Sequence, residues 1–214
     1  SQLWVNKIPL ISFIKLLFKA YNMKKIWQII FYRLNTCLLY CIVVFFNISK
    51  KGIKMTEAWI IDGCRTPRGI GKPGKGALSG IHPQHLGATV LKALAERNDL
   101  NTAEVDDIIW GTSSQRRQQG GDLGRMAALD AGYDIKASAV TLDRFCGSGI
   151  TSVNIAASSV MSGMEDLVIA GGTEMMSTYG QGGSNSSPFM DSGNERLRSV
   201  HPQPHQGVCA DAVS

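Results

Sequence analysis

The residues best suited to chemistry surround a single cysteine, Cys146, in the stretch VTLDRFCGSGIT at positions 140–151. A short strand-like run ends just before this cysteine, and a helical pattern of apolar residues follows it. The pattern places Cys146 in a sharp strand-to-helix turn, where unpaired N–H groups and the helix macrodipole favour an anion. Because the thiolate is the nucleophilic form of cysteine, this position predicts a reactive sulfur.

The two glycines of this stretch, Gly147 and Gly149, are predicted to tolerate unusual backbone angles and to let the backbone approach the sulfur closely. The arrangement resembles the nucleophile elbow of hydrolases, with cysteine in place of serine. A lone cysteine is more often a small buried apolar side chain. The local pattern by itself therefore leaves both a catalytic and a structural role open for Cys146.

Strand-like and helical segments alternate along residues 55–214. The predicted strands span residues 58–62, 108–111, 138–142 and 167–172, of which the first is expected to be buried. One predicted helix starts at Pro83, and another is capped by Asp122 and stopped by Gly132. The helix after Cys146 is expected to bury its periodic apolar residues, which are Ile150, Val153, Ala157, Val160 and Met164.

This alternation predicts an α/β fold with a parallel or mixed sheet covered on both faces. Ligands of such sheets bind at the carboxyl ends of the strands, and Cys146 follows such an end. Residues 178–205 lack periodicity and are rich in Gly, Ser, Asn and Pro. They are predicted to form a long loop or the opening of a further subdomain.

Residues 1–54 differ in composition from the rest of the chain. Of the 22 lysines and arginines, nine lie in this segment, which has no Asp or Glu, whereas residues 55–214 hold 13 together with all 17 acidic residues. The positive net charge therefore gives no argument for nucleic-acid binding by residues 55–214. The longest apolar run, at 38–46, is about half the length that a membrane-spanning helix requires.

We interpret residues 1–54 as a basic, apolar leader, either disordered or helical, that is not native coding sequence, with the true start at Met55. The alternative is an anchor that lies on a membrane surface. Membrane contact is expected only if this leader is native.

Other residues that could bind ligands do not form convincing sites. The GxGxxG match at 69–74 is followed by further glycines and not by a helix, so it is predicted to be a surface loop. His201, His205 and Cys209 lack a fourth ligand, and the prolines between the histidines exclude a helix, so no metal site is expected. The widely spaced Cys64, Cys146 and Cys209 favour a reducing, cytoplasmic compartment.

Four motifs in order resemble the N-terminal half of the thiolases, the acetyl-CoA C-acyltransferases. They are IDGCRTPRG at 61–69, GRMAALDAG at 124–132, DRFCGSG at 143–149 and AGGTEMMS at 170–177. The segment QGVCAD at 206–211 is similar to the entry into the family's loop domain. The resemblance identifies residues 55–177 as the thiolase N-terminal domain and 178–214 as the start of a truncated loop subdomain.

The resemblance implies a layered α-β-α-β-α fold built from two similar halves, of which only the first is present. It also implies acyl transfer, with Cys146 as the acyl-thioester nucleophile that cleaves 3-ketoacyl-CoA, or condenses two acetyl-CoA molecules in reverse. Coenzyme A would be a substrate, with no permanently bound cofactor and no nucleic-acid partner. The full-length protein would be a homo-oligomer, either a dimer or a tetramer.

The family's activating histidine, second cysteine and remaining oxyanion-pocket histidine belong to the C-terminal half. His82, His85, His201 and His205 match none of those motifs, so the 214-residue chain is expected to lack thiolase turnover by itself. The sequence also departs from the family pattern, because Asp122 and Asp143 stand where Asn is usual and Gly147 where Ser or Ala is usual. A carboxylate at 143 opposes a nearby thiolate, unless it pairs with Arg144 or caps a turn.

Two further interpretations remain beside thiolase. A ketoacyl synthase also uses an elbow cysteine on a similar fold, although the RTP turn at 65–67 and the motif at 170–177 favour thiolase. A fragment that only binds partners is the other alternative, and it predicts an unreactive Cys146.

Overall fold

The structure is a computed structural model that describes residues 57–178 and 189–214 together with the backbone of 43–46. The strands are β1 (Val43–Phe46), β2 (Trp59–Ile60), β3 (Asp107–Gly111), β4 (Ser138–Leu142) and β5 (Leu167–Gly172). The helices are α1 (Pro83–Asn98), α2 (Leu123–Asp130), α3 (Ser148–Ser162), α4 (Glu195–Val200) and α5 (Gln206–Val213). Single 3₁₀ turns lie at Thr102–Glu104, Arg117–Gln119 and Met176–Thr178.

Within the described part of the chain, the five strands form one mixed sheet in the order β2-β1-β5-β3-β4. Strand β3 is parallel to both of its neighbours, with Ile109 opposite Val140 of β4 and Ala170 of β5. Strand β1 is antiparallel to β2 and β5. The predicted α/β class and mixed sheet are thus confirmed. The carboxyl ends of the parallel strands β3, β4 and β5 lie at the same end of the sheet.

The first strand differs from its prediction. Only Trp59 and Ile60 are strand residues, and Ile60 is 41% exposed because β2 lies at the edge of the sheet. The position beside β5 belongs to β1, whose four residues lie in the segment 1–54 that was predicted to be disordered or helical. For residues 43–46 that prediction is wrong, and their Val-Val-Phe-Phe sequence has strong strand propensity. The other residues up to 56 lie outside the described part.

Helices α1 and α2 close one face of the sheet around Trp110, which is fully buried. Its indole Nε1 donates a hydrogen bond of 3.1 Å to Thr173 Oγ1. Helix α2 approaches closely because Gly124 lies against Trp110, where an added Cβ would come within 2.5 Å of the tryptophan Cβ. The caps agree with prediction: Asp122 accepts from Arg125 N, and Gly132 follows α2 with a φ of +80°.

Helix α3 covers the other face, but its orientation differs from prediction. Val160 is buried as expected, whereas Ile150 and Met164 are 68% and 80% exposed. The side facing the sheet consists mainly of small and hydroxyl residues, namely Ser148, Thr151, Ser152, Ala156 and Val160. Burying a serine here is inexpensive, because Ser152 Oγ lies 2.8 Å from the Gly149 carbonyl and 3.0 Å from that of Gly171, and donates to these acceptors.

The segment after β5 contains helices that its composition did not predict. Helices α4 and α5 are short and are capped by Asn194 and His205 respectively. Arg198 of α4 binds the buried carboxylate of Asp191 and holds the pKa of that group below its usual range. The glycine-rich run 69–74 is irregular, as predicted, and α1 begins only at Pro83. None of the helices in the described part is long and apolar enough to cross a membrane.

Candidate active site

Cys146 lies where the sequence pattern placed it, between the carboxyl end of β4 and the start of α3. Strand β4 ends at Leu142, α3 begins at Ser148, and Gly147 is its N-cap residue. The cysteine is exposed and is not part of a disulfide. Its sulfur is therefore accessible at the helix end where backbone N–H groups point outwards.

The turn that presents Cys146 is tight, and its unusual backbone angle falls on Phe145. Phe145 has a φ of +47°, in the left-handed region that is strained for an aromatic residue, and it is 59% exposed. Asp143 Oδ1 accepts a 2.8 Å hydrogen bond from Phe145 N, so this carboxylate caps the turn. Gly147 has a φ of −90°, and Gly149 also lies outside the left-handed region, so the prediction that these glycines supply the unusual angle is wrong.

Ser148 fastens the turn to the neighbouring strand. Its hydroxyl accepts a 2.8 Å hydrogen bond from Arg144 N. The hydroxyl hydrogen has two carbonyl acceptors in reach, Phe145 at 2.6 Å and Thr112 at 3.0 Å. One buried side chain thus bonds the two residues that precede Cys146 and joins the turn to the loop after β3.

Gly111, the last residue of β3, allows the start of α3 to lie directly on the sheet. A Cβ at this position would lie 2.8 Å from both the carbonyl carbon and the oxygen of Ser148. Real Cβ atoms do not approach backbone so closely, so only glycine permits this contact. The position of the turn that carries Cys146 therefore depends on a residue in another strand.

A buried polar network supports the loop that Ser148 contacts. Glu174, just after β5, accepts from Ser113 N at 2.6 Å and from Gln119 Nε2 at 3.0 Å. Gln119 Nε2 also lies 3.1 Å from Thr112 Oγ1, and Gln119 Oε1 accepts from Met175 N. Thr112 and Gln119 are almost fully buried, so the network links the carboxyl ends of β3 and β5 rigidly.

The profile of the thiolase N-terminal domain matches residues 58–212 of this chain.

The chain belongs to the thiolase family.

Curated relatives share this region. The chain is 43% identical over 127 residues to a steroid 3-ketoacyl-CoA thiolase of Mycobacterium tuberculosis, covering 59% of this chain and 30% of the relative. It is 40% identical over 124 residues to a beta-ketoadipyl-CoA thiolase of Acinetobacter baylyi, covering 58% and 30%. A 3-ketoacyl-CoA thiolase of Shewanella loihica is 41% identical over 123 residues, covering 57% and 31%. The chain thus spans about 30% of the length of these relatives.

The thiolase motifs quoted above lie at the carboxyl ends of the strands or on the helix beside them. The motif at 143–149 forms the turn that carries Cys146, and the motif at 170–177 forms the end of β5 and carries Glu174. The motif at 124–132 is α2, which contacts β4 through a 2.9 Å bond from Gly124 N to Thr141 Oγ1. Sequence reasoning gave no role to Gly111, Thr112 or Gln119, and their bonds join segments that are distant in sequence.

Three of the four histidines of this thiolase chain have side-chain partners in the described part. His82 and His205 accept backbone N–H groups at the starts of α1 and α5, and His85 Nδ1 lies 2.9 Å from Asp130 Oδ2. His201 is the C-cap residue of α4. Among the described residues, no side chain hydrogen-bonds the Cys146 sulfur, and no group of three or more His, Cys, Asp or Glu could hold a metal.

Proposed function

We propose that Cys146 is the acyl-accepting nucleophile of a thiolase that cleaves 3-ketoacyl-CoA, or condenses acetyl-CoA in reverse. The observation that carries this proposal is the exposed sulfur at the start of α3, on a turn fixed by Asp143 and Ser148. Membership of the thiolase family and the names of the relatives support the same chemistry. Coenzyme A enters as a substrate, with no permanently bound cofactor.

In the proposed cleavage, the Cys146 thiolate attacks the ketone carbon of the substrate and an S–C bond forms. The bond from this carbon to the two-carbon end breaks, and the departing acetyl-CoA carbanion takes up the proton that the cysteine lost. The sulfur of free CoA then attacks the acyl carbonyl and the S–C bond to Cys146 breaks. The thiol proton of CoA returns to the cysteine, so both half-reactions balance.

The described residues position Cys146 for nucleophilic attack but do not supply a general base beside its sulfur. Asp143 is engaged with Phe145 N, and His82, His85 and His205 have other partners. Within the described part, no side chain hydrogen-bonds the Cys146 sulfur. We expect the 214-residue chain to accept an acyl group on Cys146 slowly and to show no cleavage of 3-ketoacyl-CoA. Cleavage by the purified chain that disappears in Cys146→Ser would contradict the second expectation.

Acyl transfer from acetyl-CoA tests the proposal directly. The purified chain would be incubated with acetyl-CoA at neutral pH, and acetylated cysteines located by peptide mass spectrometry. We expect acetylation of Cys146 and its loss in Cys146→Ser, with little at Cys209, which is also exposed. Acetylation spread equally over the five cysteines of the chain, or absent from Cys146, would overturn the proposal and favour the non-catalytic fragment.

The wider setting is part of the same proposal. The partners would be acyl-CoA and CoA, and the full-length protein would form a homo-oligomer. Neither Cys146 nor Cys209 is part of a disulfide in the described structure, which supports a reducing compartment such as the cytoplasm. The alternative is the condensation that a ketoacyl synthase catalyses, but the relatives compared above are named thiolases.

A further inference from the structure

Gln119 is a polar side chain that the fold buries almost completely. It ends the 3₁₀ turn Arg117–Gln119 in the loop between β3 and α2, and only 1% of its surface is exposed. Burying a glutamine costs side-chain entropy and removes both halves of its amide from water. Because an apolar side chain would avoid the second cost, the burial of an amide here points to a role for the bonds that it makes.

The Gln119 amide joins the loop after β3 to the segment after β5. Its Oε1 accepts from Met175 N, and its Nε2 lies 3.0 Å from Glu174 Oε1. The same nitrogen lies 3.1 Å from Thr112 Oγ1 and 3.0 Å from the Ser114 carbonyl. These contacts on both halves of the amide fix its orientation, so Gln119 sets where Thr112 lies relative to the end of β5.

Thr112 transmits this placement to the turn that carries Cys146. Its side chain is fully buried and contacts Gln119, whereas its main chain bonds the neighbouring strand and helix. Thr112 N donates to the Leu142 carbonyl at the end of β4 at 3.0 Å. The Thr112 carbonyl lies 3.0 Å from Ser148 Oγ at the start of α3 and accepts from it. A shift of Thr112 would therefore disturb the bonds on either side of the turn.

The turn depends on such outside bonds because its backbone is strained. Phe145 has a φ of +47°, and an angle of this kind persists only where the surrounding structure holds it. The hydroxyl hydrogen of Ser148 has two acceptors in reach, the Phe145 carbonyl at 2.6 Å and the Thr112 carbonyl at 3.0 Å. If the Thr112 carbonyl moved away, this hydrogen would bond only within the turn, and the hydroxyl would no longer tether the turn to the loop after β3.

From these contacts we infer that Gln119 is a positioning residue for Cys146, acting through Thr112 and Ser148. The inference rests on the proposed function, since it names a residue that holds the nucleophile in place for acyl transfer. Gln119 keeps the sulfur at the start of α3, where the outward-pointing N–H groups favour the thiolate.

Replacing the amide without shortening the side chain tests the inference. In Gln119→Met, alkylation by iodoacetamide would be followed at neutral pH by mass spectrometry, on chains that thermal melts show to be folded. We expect Cys146 to react about tenfold more slowly and Cys209 to react at an unchanged rate. The matched control is Gln118→Met on the same 3₁₀ turn, which is exposed and should leave both rates unchanged. An unchanged Cys146 rate in Gln119→Met would overturn the inference.

A pair of threonine variants gives a measurement that a merely structural role would not move. Thr112→Val removes the hydroxyl that Gln119 contacts and keeps the shape, whereas Thr112→Ser keeps the hydroxyl. We expect slow alkylation of Cys146 in the valine variant and a rate close to that of the unaltered chain in the serine variant. This pair decides the matter if Gln119→Met does not fold. Equal rates in the two threonine variants would contradict the path through this hydroxyl.

The double variant Gln119→Met/Thr112→Val tests whether the two residues act along one path. It should react no more slowly than the slower single variant, because either change already breaks the same link. Effects on the Cys146 rate that multiply in the double variant would show two independent contributions and reject the inference.

Acetylation by acetyl-CoA separates this inference from the proposed function. We expect Gln119→Met and Thr112→Val to slow the acetylation of Cys146 by the same factor as its alkylation, since both reactions use the same sulfur. Acetylation that these variants leave unchanged would reject the positioning role and leave the proposed function standing. No acetylation of Cys146 in the unaltered chain would overturn the proposed function and the inference with it.

Discussion

The two faces of the sheet are both covered by helices, but they differ in how completely they are closed. On the face with α1 and α2, Leu91, Leu94 and Leu123 are fully buried around Trp110. On the other face, α3 packs Ala156 and Val160 against the sheet and exposes apolar side chains on its outer side. These exposed residues are Ile150, Ile155 and Met161 of α3, together with Met164 just after its end.

The difference teaches that α3 is suited to lie between two layers. A helix with apolar residues on opposite sides is stable when both sides are covered. Cys146 lies at the start of this helix, so a layer placed over its outer side would also lie near the sulfur. The closed face would then supply stability, and the open face would carry the chemistry.

The largest expected effect comes from removing the centre of the closed face. Trp110→Ala deletes a fully buried indole and its hydrogen bond to Thr173. We expect the free energy of unfolding to fall by about 3–5 kcal/mol, measured by urea denaturation at low protein concentration. The comparison variant Ile155→Ala on the open face should lose far less. Similar losses in the two variants would show that the faces do not differ as described.

Gly111→Ala tests whether the close contact between β3 and α3 positions the nucleophile. The new Cβ would meet Ser148 backbone at 2.8 Å, which should cost about 1–3 kcal/mol of unfolding free energy and slow alkylation of Cys146. Gly149→Ala is the matched control, because a Cβ there meets nothing within 4 Å. Unchanged alkylation in Gly111→Ala would separate the reactivity of Cys146 from the position of α3.

Polar substitutions on the open face should affect association more than stability. In Ile150→Gln and Met164→Gln, the free energy of unfolding should change by about 0.5 kcal/mol or less, because these side chains are exposed. The same substitutions should reduce self-association, since exposed apolar surface drives it. Light scattering over a range of concentrations would measure this. An unaltered chain that stays monomeric over the whole concentration range would contradict the expected self-association through this face.

The smallest effect is expected at the far end of α3, where Glu165 lies. Burial, with a contribution from the Asp107 carboxylate, raises the pKa of Glu165, and its Oε2 is buried without a hydrogen-bond partner among the described residues. The folded state therefore holds this proton more tightly than the unfolded state. The contribution of Glu165 to stability is full below the ordinary glutamate pKa and is lost as the pH rises through the raised one.

Glu165→Gln should remove this pH dependence. Relative to the unaltered chain, the variant should gain stability as the pH is raised from mildly acidic to neutral, and thermal melts at a series of pH values would show it. Glu96→Gln, at an exposed position on α1, is the control. The stability of Glu165→Gln minus that of the unaltered chain should increase as the pH rises. A decrease in this difference would contradict the direction of the pKa displacement.

The sequence predicted the elements whose signals are local. Strand β4 has the predicted bounds, and α2 starts at its predicted cap, because side-chain alternation and capping act within a few residues. The strand–turn–helix around Cys146 followed from the same signals. The local pattern left the role of Cys146 open between catalytic and structural, and the resemblance to the thiolase motifs then favoured the catalytic role.

Features that depend on distant residues were not predictable in this way. The rotation of α3 is set by the bond from Ser152 to the Gly171 carbonyl, which makes a serine more suitable than Ile150 for the inner side. The left-handed angle fell on Phe145 and not on a glycine, because Asp143 and Ser148 hold its N–H and carbonyl. The pairing of β1 with β5 joins residues more than a hundred positions apart.

The central claim is that the fold makes the sulfur of Cys146 the reactive one, and the most direct test is its rate of alkylation. Cys209 is the internal reference, because it is also exposed but lies within α5 and not in a turn between a strand and a helix. Both rates would be measured with iodoacetamide at neutral pH by mass spectrometry, in the folded chain and in denaturant. The account predicts that Cys146 reacts faster than Cys209 only in the folded chain. Equal rates in the folded chain, or a preference that persists in denaturant, would contradict it.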